Sequence, residues 1–87
     1  MAHDLASVSG LLKKHIEEEI ILRKEPLSPD EDLFAAGFDS MSLTRVLVFV
    51  EERFGLTIPD HEVVLDELST VTKLAAFVHG RLVQAGK

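Results

Sequence analysis

The sequence contains no cysteine, tryptophan or tyrosine among its 87 residues. Without cysteine, the chain can form no disulfide and offers no thiolate nucleophile, so any thiol chemistry must come from an attached group. No apolar run approaches the length that spans a bilayer. Residues 1–4 lack the basic and apolar segments of a secretion signal. We therefore expect a soluble, cytoplasmic protein that does not associate with a membrane.

The length and charge of the chain narrow the function classes further. Residues 1–87 are enough for one small domain, and this size disfavours a large enzyme cleft. The net charge is −6. Residues 25–39 contain five acidic side chains and no basic one, and residues 60–67 contain four acidic side chains. Such clusters repel nucleic-acid phosphates and favour basic protein partners.

Apolar residues recur at helical spacing along the chain, which predicts an all-α fold. Pro26 and Pro29 punctuate a long connection after the first helix, and Gly55 suits the C-terminal end of the second. Four helices with these connections form a bundle. The helices are predicted at about residues 4–22, at about 40–54, from Asp60 to about Leu65 or Asp66, and from Ser69 or Thr70 onward.

The same spacing predicts which side chains are buried. The long connection is expected to be pinned to the bundle by its apolar residues, Leu27, Leu33, Phe34 and Phe38. We expect the second helix to pack on the first and last helices through Leu47, Val50 and Phe54, against Leu12, Ile16, Val78 and Leu82. In contrast, Glu17–Glu19 are expected to form a solvated face of the first helix.

One serine, Ser40, lies where the long connection turns into the second helix. Either Asp39 or Ser40 can cap this helix, because a short side-chain oxygen accepts a free backbone N–H of the first turn. A capping serine is the simplest interpretation of this position. A helix N-terminus also carries partial positive charge and unpaired N–H donors, so it suits a phosphate.

The residues around Ser40 form a recognisable series, Asp32-Leu33-Phe34, Gly37 and Asp39-Ser40-Met41. This series resembles the attachment site of acyl and peptidyl carrier proteins, whose usual core is Asp-Ser-Leu. The similarity continues through residues 51–60 and 70–75 and covers roughly residues 5–83. It implies the acyl-carrier type of four-helix bundle, with a long loop between helices 1 and 2 and a short third helix.

The resemblance also implies a function. A 4′-phosphopantetheine group would be attached covalently to Ser40, beside Asp39, and would hold acyl intermediates as thioesters. The protein would be a non-catalytic, monomeric carrier that serves as a substrate for other enzymes. The implied partners are a phosphopantetheinyl transferase, an acyl- or aminoacyl-loading enzyme, and synthase or transferase domains.

Departures from the family pattern bear on the pathway. Fatty-acid carriers usually have a strongly acidic second helix, whereas Ser42, Thr44 and Arg45 occupy its first turns here. We therefore expect a discrete carrier in polyketide or mixed polyketide–nonribosomal peptide biosynthesis. Met41 in place of leucine also occurs in D-alanyl carriers, so an aminoacyl or D-alanyl carrier is the alternative. Partner recognition is expected at Met41, Thr44, Arg45, Val48, Glu51 and Glu52.

Other classes of function fit the sequence less well. A helical adaptor without a prosthetic group could dock partners through Met41, Val48 and Phe49. A hydrolase is disfavoured because the residues around Ser40 do not form Gly-x-Ser-x-Gly. A calcium loop starting at Asp30 would need glycine and glutamate where Ala35 and Met41 stand, so no metal site is predicted.

Overall fold

The structure is a computed structural model that describes residues 4–21, 25–59, 62–63 and 65–86. Within these ranges all regular structure is helical, which confirms the all-α prediction. None of the described helices is long and apolar enough to cross a bilayer. The elements are α1 (Leu5–His15), a π-helical segment (Ile16–Ile20), α2 (Ser40–Phe54), a 3-10 helix (Leu65–Leu68) and α3 (Val71–Gln84).

The short third helix differs from its prediction. The described helical turn in this region is the 3-10 helix Leu65–Leu68, which extends past the predicted end at residue 65 or 66. Asp60, the predicted cap, lies outside the described residues. The buried side chain of Leu68 anchors this turn in the core. The sequence pattern alone predicted that the helix would end before this residue.

The first helix changes its geometry near its end. Asp4 caps α1 by accepting the backbone N–H of Ser7 at 2.8 Å. After His15 the turns widen, and the N–H of Ile21 donates to the carbonyl of Ile16 at 2.8 Å, five residues back. The prediction of one helix over about 4–22 is therefore confirmed to Ile20, with a π-helical last turn that periodicity did not predict.

Apolar side chains hold the long connection against the core, and burial is confirmed for three of the four residues for which it was predicted. Leu27, Leu33 and Phe38 are buried in the core. Phe34 is only half-buried and meets Phe38 edge to face, with 5.7 Å between ring centroids. The ring of Phe34 therefore covers that of Phe38 from the solvent side.

Backbone hydrogen bonds join this connection to the start of α3. The N–H of Leu33 donates to the carbonyl of Ser69 at 2.8 Å, and the N–H of Thr72 donates to the carbonyl of Pro29 at 3.1 Å. These bonds satisfy polar groups that a loop lying on a core would otherwise leave unpaired. They fix the segment that leads into α2.

One glutamate of the predicted solvated face has a structural role instead. The Glu17 carboxylate accepts the backbone N–H of Leu27 and forms an ion pair with Lys13 at 3.2 Å. The prediction is therefore wrong for Glu17, because the returning connection needs an acceptor at this point. Glu18 and Glu19 are exposed, as predicted.

The core prediction is correct except at Leu47. Val50 and Phe54 of α2 are buried together with Leu12, Ile16, Val78 and Leu82. Leu47 is only half-buried and packs at the edge of the core. The inner stripe of α2 runs through Leu43, Val46, Val50 and Phe54, and Leu47 lies one position to the side of it.

Candidate functional site

Ser40 is the first residue of α2, and its side chain is exposed. No other described residue forms a hydrogen bond with its hydroxyl group. The Ser40 carbonyl accepts the Thr44 hydroxyl at 3.1 Å, so the backbone of this first turn is secured while the serine side chain stays open. An unengaged hydroxyl at an exposed helix end can be reached by a modifying enzyme.

Asp39, not Ser40, is the cap of α2. Its backbone is extended, with φ −127° and ψ −174°, and its Oδ1 accepts the backbone N–H of Ser42 at 2.8 Å. This hydrogen bond stabilises the carboxylate and lowers the pKa of Asp39. The two possibilities left open by the sequence are thereby resolved, and capping makes no use of the Ser40 hydroxyl.

The residues just before the site fold into a tight turn. The N–H of Phe38 donates to the carbonyl of Leu33 at 2.9 Å, and the N–H of Phe34 donates to Asp32 Oδ1 at 3.0 Å. Gly37 has a φ of +109°, a conformation that other residues rarely adopt. Because Phe38 is buried two positions before Ser40, the exposed serine is held on a fixed base.

The electrostatics of this turn suit a phosphodiester in one respect and oppose it in another. The free N–H groups of the first turn of α2 favour an anion. The Asp39 carboxylate next to Ser40 repels one, and it also occupies the N–H of Ser42. A phosphate joined to the Ser40 oxygen can point into solvent, where water screens this repulsion. The residues present therefore fit a covalent phosphodiester better than a free phosphate ion.

The six residues predicted to recognise partners are all exposed on α2. Met41 is 74% exposed and Val48 is 49% exposed, so both apolar side chains are accessible to a partner. They do not all contribute to one surface feature. Four of them line a groove beside the end of α1, namely Thr44, Arg45, Val48 and Glu52, while Met41 and Glu51 lie outside it.

The structure adds His15 and Phe49 to this groove. Their rings stack almost in parallel, with 4.0 Å between centroids and 11° between planes. Phe49 is half-buried, which limits its part in the exposed patch of the adaptor hypothesis. Burial lowers the pKa of His15, nearby Arg45 lowers it further, and Glu19 opposes the shift. No pattern in the sequence pairs these two rings, because the contact depends on how α1 and α2 pack.

The cap leads to a prediction about acid stability. We expect Asp39→Ala to lower the melting temperature at neutral pH by a few degrees, because the Ser42 N–H loses its acceptor. The lowered pKa means that ionised Asp39 stabilises the fold above its unfolded-state pKa of about 3.8, and that this contribution is lost as the pH falls through the folded-state pKa. Thermal melts of both proteins between neutral and acidic pH should therefore converge at low pH.

Asp39→Asn is the matched control for this prediction. Asparagine caps helices about as well as aspartate but does not ionise in this range. Its melting temperature should stay close to that of the wild type at neutral pH. An Asp39→Ala protein as stable as the wild type at neutral pH would contradict the capping role.

Comparison with known proteins identifies the class to which this chain belongs. Residues 10–78, most of the chain, match the family described as "Phosphopantetheine attachment site". The chain belongs to this family and is a carrier protein, as the sequence predicted, and membership implies a covalently attached 4′-phosphopantetheine group. The matched region includes the whole of α2 and extends into α3.

A particular relative is the D-alanyl carrier protein of Streptococcus suis (strain 05ZYH33). The two sequences are 35% identical over 65 residues, which cover 74% of this chain and 82% of that protein. The similarity therefore extends over most of both proteins.

Proposed function

We propose that this protein is an aminoacyl carrier of the D-alanyl type, which holds an activated amino acid on a 4′-phosphopantetheine arm attached to Ser40. The similarity to a D-alanyl carrier protein over most of its length carries this proposal. It favours the aminoacyl alternative over the expected polyketide or mixed polyketide–peptide pathway. Met41, which follows the serine, agrees with the same alternative.

The chain's own residues would position the group and present it. Ser40 Oγ would form the phosphodiester, while Asp39 caps α2 without using that hydroxyl. Phe38 anchors the turn from inside the core, so the point of attachment stays in place while the arm moves. When bound, 4′-phosphopantetheine supplies the terminal thiol that this cysteine-free chain lacks, to which carboxylic acids are joined as thioesters.

Carrier proteins in general interact with a phosphopantetheinyl transferase and with loading enzymes, and they act as substrates in these reactions. For this chain we propose that the loading enzyme activates an amino acid and that a transferase later accepts it. The exposed residues of α2 would form the contact. The apolar side chains Met41 and Val48 would contribute contact area, and the charged residues would select the partner.

A loading assay tests the proposed cargo. The holo protein would be incubated with an enzyme that activates D-alanine, and separately with acyltransferases that deliver malonyl or acetyl groups. Intact mass would report each addition. We expect D-alanine to be loaded in preference to the plain acyl groups, and loading of malonyl but never of an amino acid would overturn the proposal. L-alanine serves as the control for stereochemical preference.

Arg45 provides a prediction about partner choice. It is exposed on the first turns of α2, where a fatty-acid carrier would present acid. We expect Arg45→Glu to leave the fold intact and to slow transfer from the holo protein to its native partner several-fold, because charge complementarity sets the association rate. The measurement is the transfer rate at low and high salt, with native and fatty-acid enzymes as acceptors.

Arg53→Glu is the matched control for Arg45. It makes the same change of charge at another exposed position of α2, about 12 Å farther from Ser40 along the helix axis than Arg45. The effect at Arg45 should shrink at high salt, because ions screen exposed charges. Equal rates for wild type and Arg45→Glu with every partner would remove Arg45 from the recognition surface.

A further inference from the structure

A groove runs along the outer side of α2, beside the end of α1. Its volume of about 370 Å³ is at the lower end of the range for small-molecule sites, so it suits a small group. The groove is open to solvent along its length. Thr44, Arg45, Val48 and Glu52 line it from α2.

The floor of the groove is apolar and partly aromatic. The stacked rings of His15 and Phe49 and the half-exposed Val48 line the groove, and we call these three side chains its floor. These side chains offer a surface on which a small aliphatic group can rest. The stacking of these two rings joins α1 to α2 at this point.

The walls of the groove carry charges of both signs. Glu19 and Glu52 contribute carboxylates, and Arg45 contributes a guanidinium group. No salt bridge joins any of these three to another residue of the described chain. Glu19 acts electrostatically on the imidazole of His15 but makes no direct ion pair with it. The charges are therefore available to a ligand that itself has both a cationic and an electron-rich end.

The groove begins one helical turn beyond Ser40 and leads away from it. Thr44 lies one turn beyond Ser40, and its hydroxyl bonds to the Ser40 carbonyl. At 1.5 Å per residue, the groove extends from about 6 Å to about 18 Å beyond Ser40 along the helix axis. A phosphopantetheine arm has about as many chain atoms as five peptide residues and can extend roughly 16 Å. Its end can therefore reach the groove without leaving the surface of α2.

We propose that this groove receives the aminoacyl end of the arm, with the ammonium group against Glu19 and Glu52 and the carbonyl oxygen toward Arg45. The small side chain of the amino acid would rest on Val48 and Phe49. This inference rests on the proposed aminoacyl arm at Ser40 and deepens it by naming the surface of the protein on which the cargo rests. A plain acyl group has no ammonium and gains nothing from the two carboxylates, so the groove distinguishes aminoacyl from acyl cargo.

Because the cargo is attached to the protein, a groove with weak intrinsic affinity is sufficient to hold it. A short flexible tether holds its end at an effective concentration of the order of millimolar. An intrinsic dissociation constant in the same range would therefore keep about half of the cargo in the groove. The open groove also lets the cargo leave quickly when a partner enzyme arrives.

NMR spectroscopy of the full chain provides the test. A phosphopantetheinyl transferase would attach stable, amide-linked analogues that carry either a D-alanyl or a propionyl end. These two ends differ only in the ammonium group. We expect the D-alanyl form to shift the signals of the His15 and Phe49 rings and of the Glu52 amide several-fold more than the propionyl form. Equal shifts for both forms, or shifts confined to residues next to Ser40, would overturn the inference.

Variants of the groove complete the test. The double variant Glu19→Gln, Glu52→Gln should lose the D-alanyl-specific shifts, while Glu67→Gln, an exposed charge on the 3-10 helix, should keep them. Persistence of the shifts in the double variant would also overturn the inference. Intact mass distinguishes a failure of this inference from a failure of the proposed function. If the transferase adds no analogue to wild type, then the attachment itself fails, whereas complete addition without specific shifts refutes the groove alone.

Discussion

Replacing Ser40 by alanine is expected to abolish the addition of phosphopantetheine completely. The reaction needs a nucleophilic oxygen at the exposed start of α2, and alanine removes that oxygen while it leaves the Asp39 cap in place. Alanine is also a good helix former, so the fold should be unchanged. The measurement is intact mass after incubation with a phosphopantetheinyl transferase and coenzyme A, with circular dichroism to verify the helical content.

Ser42→Ala is the matched control, because Ser42 lies only two residues further along the same helix. Its backbone N–H, which the substitution retains, donates to Asp39, so the cap survives in both variants. We expect Ser42→Ala to gain one phosphopantetheine, as the wild type does. Addition to Ser40→Ala, or loss of addition in Ser42→Ala, would refute the assignment of the site. A wild-type chain that gains nothing would favour the adaptor hypothesis.

The bounds of α2 were predictable because local chemistry determines them. The sequence predicted a helix over about 40–54, and the structure has Ser40–Phe54. Asp39 provides a cap whose carboxylate can reach the first turn. At the other end Gly55 adopts φ +65° and donates its N–H to the carbonyl of Glu51 at 3.0 Å, which confirms its predicted position.

Features that depend on tertiary contacts were not predictable in the same way. Glu17 resembles its two acidic neighbours in sequence, and only the returning chain at Leu27 gives it a separate role. Leu47 and Val46 both fit a helical stripe, and the packing of α2 on the other elements decides that Val46 is fully buried. The π-helical turn at Ile16–Ile20 likewise leaves no mark in the apolar spacing.

The candidate site likewise has one part that was predictable from local sequence and one part that was not. The open serine and its neighbours lie within one short stretch, so their pattern could be compared with a known family. The groove instead combines Glu19 with Glu52, which are far apart in the chain and line one groove only because the π-helical segment after α1 packs against α2. A single sequence contains no signal for such a pairing. The partner residues on α2 therefore stay predictions.

Phe54 is the residue of α2 whose truncation should cost the most stability. Its side chain is 5% exposed and lies in the core at the last turn of the helix. Its ring meets that of Phe49 edge to face, with 6.4 Å between centroids and 82° between planes. Phe54 therefore also supports the aromatic floor on which His15 stacks. No smaller side chain can fill its space without movement of the surrounding helices.

We expect Phe54→Ala to lower the free energy of unfolding by about 3–5 kcal/mol, because it removes buried ring contacts and leaves a cavity. A domain of 87 residues is typically stable by only about 4–13 kcal/mol. The melting temperature should therefore fall by at least about 12 °C, and the protein can unfold altogether. Thermal and urea denaturation, followed by circular dichroism, would measure the loss.

Two control variants accompany Phe54→Ala. Phe54→Leu should lose much less stability, and Val48→Ala, which truncates a half-exposed residue of the same helix, should change the stability little. An unchanged melting temperature for Phe54→Ala would mean that this ring does not belong to the core.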